Sequence, residues 1–263
     1  MFYKIGENYG KITSNQNNRV KEWKKLQAKK GRTKSGEYII EGWHIVGEAI
    51  RHQKEILALM VTDEDFLDQL EFDDTKVPVY LITPEIANHI SSTETPQGVF
   101  AVLKTEDYHE SIPDNLTGAW LLLDNIQDPG NIGTMVRTAD AAGVSGVVFG
   151  RGTADIYNPK VVRAMQGSQF HMQLFSGDLL DWLAALKKQQ VPTYGTELND
   201  QAVSYTDVTP TQTFGLVMGN EGNGVSPEIL SWTDQNLYIP MKGEAESLNV
   251  AVATGILLFH LFK

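Results

Sequence analysis

The sequence predicts an α/β protein built in two parts. Three observations predict it: strand and helix patterns alternate along most of the 263 residues, a polar, proline-containing stretch at 104–117 interrupts them, and there is no cysteine to staple a loop-rich scaffold. Alternation of this kind belongs to sheets covered by helices. The length suits one large domain or two modest ones, and leaves enough chain to bury a core.

Residues 17–30, NNRVKEWKKLQAKK, read as a helix. Asn17 or Asn18 can cap it, Val20 and Trp23 mark one face, and Lys21, Lys24, Lys25, Lys29 and Lys30 cover most of the rest. GRTKSG (31–36) follows as a basic loop bounded by glycines, then a short strand at 37–40. Periodicity gives a helix at 43–52, a strand at 56–61, a helix at 63–70, a strand at 77–82, a helix at 84–90 and a strand at 98–103. These make a small α/β domain, 1–104, and the acidic stretch 105–117 reads as its linker to a second domain, 118–263.

The second series opens with strand AWLLLD (119–124) and a helix at 131–142. A strand at 146–149, a helix at 158–167, a strand at 171–175 and a helix at 178–189 come next. Strands at 192–196 and 214–218, a short helix at 226–231, a strand at 237–240 and a last helix at 247–262 complete it. From Leu248 onward that helix is apolar nearly all round, which predicts burial on every side or a subunit interface.

Composition excludes several classes. Without cysteine there is no zinc ribbon, thiolate nucleophile or cysteine-held cluster. The six histidines form no HExxH or other close pair, so no catalytic metal site is expected. The opening MFYKIGENYG lacks the form of a signal peptide, and no apolar run could span a bilayer, so a soluble, cytoplasmic protein is expected. No GxSxG elbow or carboxylate dyad marks a hydrolase. Net charge is −11, yet residues 1–36 carry a local +8 and the remainder −19. That arm is either a solvated helix face or a grip for a polyanion, because screening confines attraction to about 10 Å.

Three segments place Gly, Pro and polar residues against strand ends, where open α/β sheets bind ligands. In LLLDNIQDPGNIGTMVRTADAAG (121–143), Pro129-Gly130-Asn131 turns into a helix carrying Arg137, which either pairs with Asp140 or serves a site. In FGLVMGNEGNGVSPEIL (214–230), Glu221 sits among glycines that match neither a Walker loop nor the dinucleotide fingerprint. It marks an ordinary turn, or a carboxylate that orients a ligand or an arginine. In LYIPMKGEAESLNVAVATGILLFHLF (237–262), Ser247 is the expected N-cap, and Asn249 is a polar amide inside an apolar helix that needs partners.

Together these segments resemble the three motifs of the SpoU (TrmH-type) RNA ribose 2′-O-methyltransferases of the SPOUT superfamily. The residues are Asp128-Pro129-Gly130-Asn131-Ile132-Gly133 with Arg137, Gly219 with Glu221-Gly222, and Ile239-Pro240 followed by Ser247-Leu248-Asn249-Val250. The first half is similar to a ribosomal-protein-like substrate-binding domain often fused to this family, through Lys21 to Leu26, Arg32, Ile39-Ile40-Glu41-Gly42 and Thr95-Pro96-Gln97-Gly98. The resemblance implies a deep trefoil knot in the C-terminal domain, S-adenosylmethionine as methyl donor with no metal, and a homodimer built through that domain. It implies donor contacts at Gly219, Ile239 and Leu248, and a catalytic set of Asn131, Arg137, Glu221, Ser247 and Asn249. One departure is Ala251, where the family often has a second serine.

The implied reaction moves a methyl group from a sulfonium to a ribose hydroxyl, which is a poor nucleophile until it loses its proton. A guanidinium with a pKa above about 12 makes a poor base, so Arg137 is expected to grip a phosphate, held by Glu221 and Asn131. RNA contacts are expected from Arg19, Lys21, Lys24, Lys25, Lys29, Lys30, Arg32 and Lys34. The N-terminal domain favours rRNA, chiefly of the large subunit, over tRNA. A tRNA enzyme and a non-catalytic RNA-binding assembly protein of the same fold are the alternatives.

Overall fold

The computed structural model describes residues 9–70, 77–106 and 111–263, in two compact units. Residues 1–8, where the start of the chain was read for a signal, and 107–110 of the expected linker lie outside the described residues.

The first unit runs β1 (Tyr9–Ile12), α1 (Asn18–Lys25), α2 (Lys29–Ser35), β2 (Glu37–Glu41), α3 (Trp43–Arg51), β3 (Ile56–Val61), α4 (Asp65–Leu70), β4 (Val79–Ile82), α5 (Pro84–Ile90) and β5 (Val99–Lys104). Its sheet has the order β1-β4-β3-β5-β2 and is mixed, with β5 antiparallel to both neighbours. One core joins Val20, Trp23 and Leu26 to Met60, Ile86, Ile90 and Phe100.

The basic arm differs from the single helix expected. It breaks after Lys25, and α2 takes up the GRTKS stretch expected as a loop. The cause is Leu26, buried at 3 % exposure, which turns the chain inward. Gly31 then packs so close to the Lys25 carbonyl that a Cβ there would overlap it. Strand β1, which lies parallel to β4, has too short a pattern to be read from sequence.

The second unit runs β6 (Ala119–Asp124), α6 (Pro129–Ala142), β7 (Gly146–Gly150), β8 (Gln173–Gly177), α8 (Leu179–Lys188), β9 (Thr193–Thr196), β10 (Val203–Ser204), β11 (Phe214–Gly219), α9 (Pro227–Leu230), β12 (Gln235–Tyr238) and α10 (Val250–Leu261). Between β7 and β8, helix α7 (Pro159–Met165) lies in a segment, 155–171, that clusters with the first unit. There Asp155 takes an ion pair from Arg32 at 2.6 Å, and the Tyr157 and Tyr38 rings stand 4.6 Å apart.

The second sheet is parallel throughout, in the order β10-β12-β9-β11-β6-β7-β8. Trp120, Phe175 and Trp182 pack as an aromatic trio at its core, with centroids 5.0–5.6 Å apart. Because all seven strands run the same way, the carboxyl ends of β6, β11 and β12 share one edge. Strands β6 and β11 are neighbours in register, Asp124 opposite Gly219, at the point where strand order reverses. Among the described residues no helix is long and apolar enough to cross a membrane.

Candidate active site

The turn after β6 is shaped by Asp128, which caps α6 by accepting from the Asn131 N–H at 2.9 Å, with Pro129 in the first turn. The turn after β11 is shaped by Asn220, whose side-chain oxygen accepts from the Gly222 and Asn223 N–H groups at 3.0 and 3.1 Å. Gly219 has to be glycine, since a Cβ would run into the backbone of Gly224 and Val225.

Three links tie these turns together. The Asp124 carboxylate accepts from the Ser226 N–H at 2.7 Å, and the Asn220 amide donates to the Asn125 carbonyl at 2.9 Å. Glu221 makes the third. One of its oxygens accepts from the Asp128 N–H at 2.9 Å and from the Asn131 amide at 3.0 Å, and the other accepts from the Gln127 N–H at 3.1 Å. Burial pushes its pKa up, but the hydrogen bonds from Asn131 and from the backbone of Asp128, Glu221 itself and Gln127 outweigh it. They hold the carboxyl below its ordinary range.

Asn249 joins from the third motif. Its amide donates to the Asn131 oxygen at 2.8 Å, and its own oxygen accepts from the Ala251 and Val252 N–H groups at 2.9 and 3.3 Å. Asn249, and not Ser247, is therefore the N-cap of α10, and it lies outside an apolar helix that was expected to enclose it. Glu221, Asn131 and Asn249 form one chain in which every amide is oriented by its neighbour.

Beside this chain lies a cavity of about 370 Å³, within the roughly 300–1,000 Å³ typical of small-molecule sites. Gly219, Ile239, Leu248, Ser247 and Glu221 line it, with Met218, Leu237 and Leu257 as apolar wall and Glu197 and Glu246 as further carboxylates. An apolar slot edged by carboxylates and closed by a glycine backbone fits a ligand that combines a flat heterocycle with a positive charge. S-adenosylmethionine is such a ligand.

Two expectations need correction. Arg137 does not meet Glu221 or Asn131. It lies nearly two turns beyond Asn131 on α6, about 120° around the helix, exposed and without an ion pair to any described residue. Arg32 is buried at 5 % exposure, donating to the Leu26 carbonyl at 2.8 Å and paired with Asp155, so it braces the first unit and is closed to a large polyanion. The other arm residues, Arg19, Lys21, Lys24, Lys25, Lys29, Lys30 and Lys34, are exposed. Sequence reasoning also missed Asp124, Asn125, Gln127 and Asn220. The one available signal was their position at the ends of two strands.

Helix α10 is not buried all round either: Val252 is 52 % and Phe259 62 % exposed. In the first unit, the residues of the expected substrate domain support one another. Gly42, at φ +106°, lies against Gln97, which accepts from the Trp43 N–H at 3.0 Å, while Glu41 accepts from Ser91 and Thr93.

Comparison with known proteins agrees with this geometry. Residues 118–259 match the SpoU rRNA Methylase family and residues 17–101 the MRM3-like substrate binding domain. A 23S rRNA (guanosine(2553)-2′-O)-methyltransferase, RlmP of Bacillus subtilis, is 43 % identical over 95 % of this chain and 98 % of its own. An AdoMet-bound rRNA methyltransferase from Sinorhizobium meliloti superposes with a TM-score of 0.86 at 29 % identity, covering 97 % of each chain. The SpoU methyltransferase AviRb from Streptomyces viridochromogenes, in complex with AdoMet, gives 0.81 at 27 % identity, over 94 % of this chain and 97 % of its own. The chain belongs to the SpoU rRNA methylase family.

Proposed function

We propose that this protein is an S-adenosylmethionine-dependent RNA ribose 2′-O-methyltransferase acting on large-subunit rRNA. One observation carries the reading: Glu221, Asn131 and Asn249 form a continuous hydrogen-bonded chain beside a cavity lined by Gly219, Ile239 and Leu248. The rRNA assignment is supported by the Bacillus subtilis relative, a 23S rRNA enzyme similar over nearly its whole length. Residues 1–104 serve as substrate-binding domain, 105–117 as linker and 118–263 as methyltransferase domain.

The donor supplies an activated methyl group on a sulfonium. The protein has to hold the ribose hydroxyl in line and help its proton leave. Glu221 keeps the first two motif turns at fixed separation, and Asn249 fixes the start of α10 against them. Ser247, exposed on the cavity rim, is placed to meet a ribose or a phosphate. Arg137 offers a planar set of donors for the phosphate next to the reacting hydroxyl, and stabilises the developing alkoxide while phosphate or water takes the proton.

A homodimer completes the site. The exposed stripe of Val252 and Phe259 on α10 runs beside α6, where Gly255 packs on Thr138, next to Arg137. A symmetric dimer on that face buries the stripe and takes Arg137 of each copy into the interface region. The C-terminal domain is read as the deep trefoil knot of the superfamily. The match of residues 118–259 to the SpoU rRNA Methylase family supports this reading.

The test is methyl transfer from labelled donor to unmodified rRNA or tRNA transcripts, followed by alkaline hydrolysis, with Arg137→Ala as control. Label in an alkali-resistant dinucleotide from rRNA alone is the expected result. Label only in tRNA overturns the substrate assignment, and no donor binding overturns the enzyme.

A further inference from the structure

We propose that Glu48, His52 and His171 form a zinc site that fastens the 155–171 segment to α3. Glu48 and His52 lie one turn apart, on α3 and at its C-terminal cap, so both side chains project from one side of the helix. His171 ends the 155–171 segment, which belongs to the same unit. One ligand atom from each of the three lies within 4.8 Å of the others.

The spacing suits a metal. Two donors bound tetrahedrally to zinc at about 2.0–2.2 Å stand about 3.3–3.5 Å from each other. The His52 ring nitrogen is 3.5 Å from the second Glu48 oxygen, so this pair already spans such an edge. The His171 ring centroid is 4.8 Å from that of His52, and a ring nitrogen of His171 already lies within 4.8 Å of the ligand atoms of the pair.

The surroundings fix the carboxylate. The Glu48 side chain is only 9 % exposed, and its first oxygen is held by Arg51 at 2.9 Å, which leaves the second directed at His52. Gly167, at φ +96°, presses on the same side chain: a Cβ there would stand 2.7 Å from the Glu48 Cγ. The segment therefore closes tightly over the glutamate and delivers His171 to it. Two imidazoles and one carboxylate suit zinc, with its fourth position left to water; magnesium and calcium take oxygen donors instead. No close histidine pair announces the site in the sequence, because its members come from two distant segments.

The test uses the untagged full chain, stripped with chelator and titrated with zinc by calorimetry, with cobalt(II) as a visible probe of geometry. The expected result is one equivalent bound, tetrahedral cobalt absorption, and a rise in melting temperature on adding zinc. His52→Ala and His171→Ala should each weaken binding at least about tenfold. His89→Ala, at an exposed position on α5, should leave it unchanged. Circular dichroism confirms that the His171→Ala chain is folded, as its exposed position predicts. Absence of saturable binding, or binding that survives His171→Ala, overturns the site and leaves the three residues as a packed side-chain cluster without a metal.

Discussion

Glu221 accepts from groups on three residues of the first motif turn, and of the three links between the two strand ends it is the one that also orients Asn131. Glu221→Gln keeps the shape but turns part of the acceptor into a donor facing backbone N–H groups. We expect at least a tenfold loss of methyl transfer, with weaker donor binding in calorimetry, at the scale of about 1–3 kcal/mol for a charged hydrogen bond. The pH dependence has a definite sign. Since the folded pKa lies below the unfolded one, the stabilisation is complete above the ordinary carboxylate value, near 4.3, and is lost as pH falls through the folded value. Urea melts of wild type and Glu221→Gln should thus differ constantly from neutral pH down to about 4.3, and converge only below it. Gly219→Ala tests the neighbouring constraint: its Cβ overlaps backbone, so donor binding should vanish and stability fall by about 1–3 kcal/mol in the same melts. Glu221 was legible as a charge inside a glycine turn. Its partner was not, because Arg137 and Asn131 share one helix and only the rotation per residue tells which of them faces the turn. Arg32 shows the same limit, since a buried arginine looks in sequence like any other member of a basic run.

At the scale of elements, most strands and helices follow from periodicity, and the discrepancies have local causes. Strand β10 has two residues and no pattern to detect. The arm breaks because Leu26 is drawn into the core and Gly31 permits a close approach, a packing event invisible to helix propensity. Helix α10 starts two residues later than expected because Asn249, and not Ser247, accepts from the first free N–H groups, those of Ala251 and Val252. Asn249 thus has separable roles, as cap through its oxygen and as donor to Asn131 through its nitrogen. Asn249→Ala should cost about 1 kcal/mol in thermal or urea unfolding and also abolish methyl transfer. Asn249→Asp retains the cap, so its melting temperature should stay near wild type while activity is lost. Full methyl transfer by Asn249→Asp would place the importance of Asn249 in the helix cap alone.

At the scale of the molecule, the division into two α/β parts was readable from the polar stretch between them. That 155–171 clusters with the first unit was not, because its strand and helix signals are continuous with the second series. Charge segregation was readable too, and seven of the eight expected arm cations are exposed. Replacing Lys21, Lys24, Lys29 and Lys30 with Gln should weaken RNA binding and flatten its salt dependence, by about 0.7–0.9 in log–log slope for each phosphate left without its lysine. Donor affinity should not change. Quaternary structure is where the corrected position of Arg137 matters most. Within one chain it stands apart from Glu221, yet it lies beside the apolar stripe of α10 that a second copy would cover. If each site takes its arginine from the other chain, two inactive variants should complement. Arg137→Ala and Glu221→Gln chains, co-expressed and paired at random, form mixed dimers in half of the population. Each mixed dimer then has one site with both defects and one intact, so activity should return to about a quarter of wild type. Phe259→Glu added to both chains should make them monomeric in light scattering and abolish that recovery. Complementation that fails while mixed dimers form would put Arg137 to work in its own chain, and would require α6 to move toward Glu221 when RNA binds.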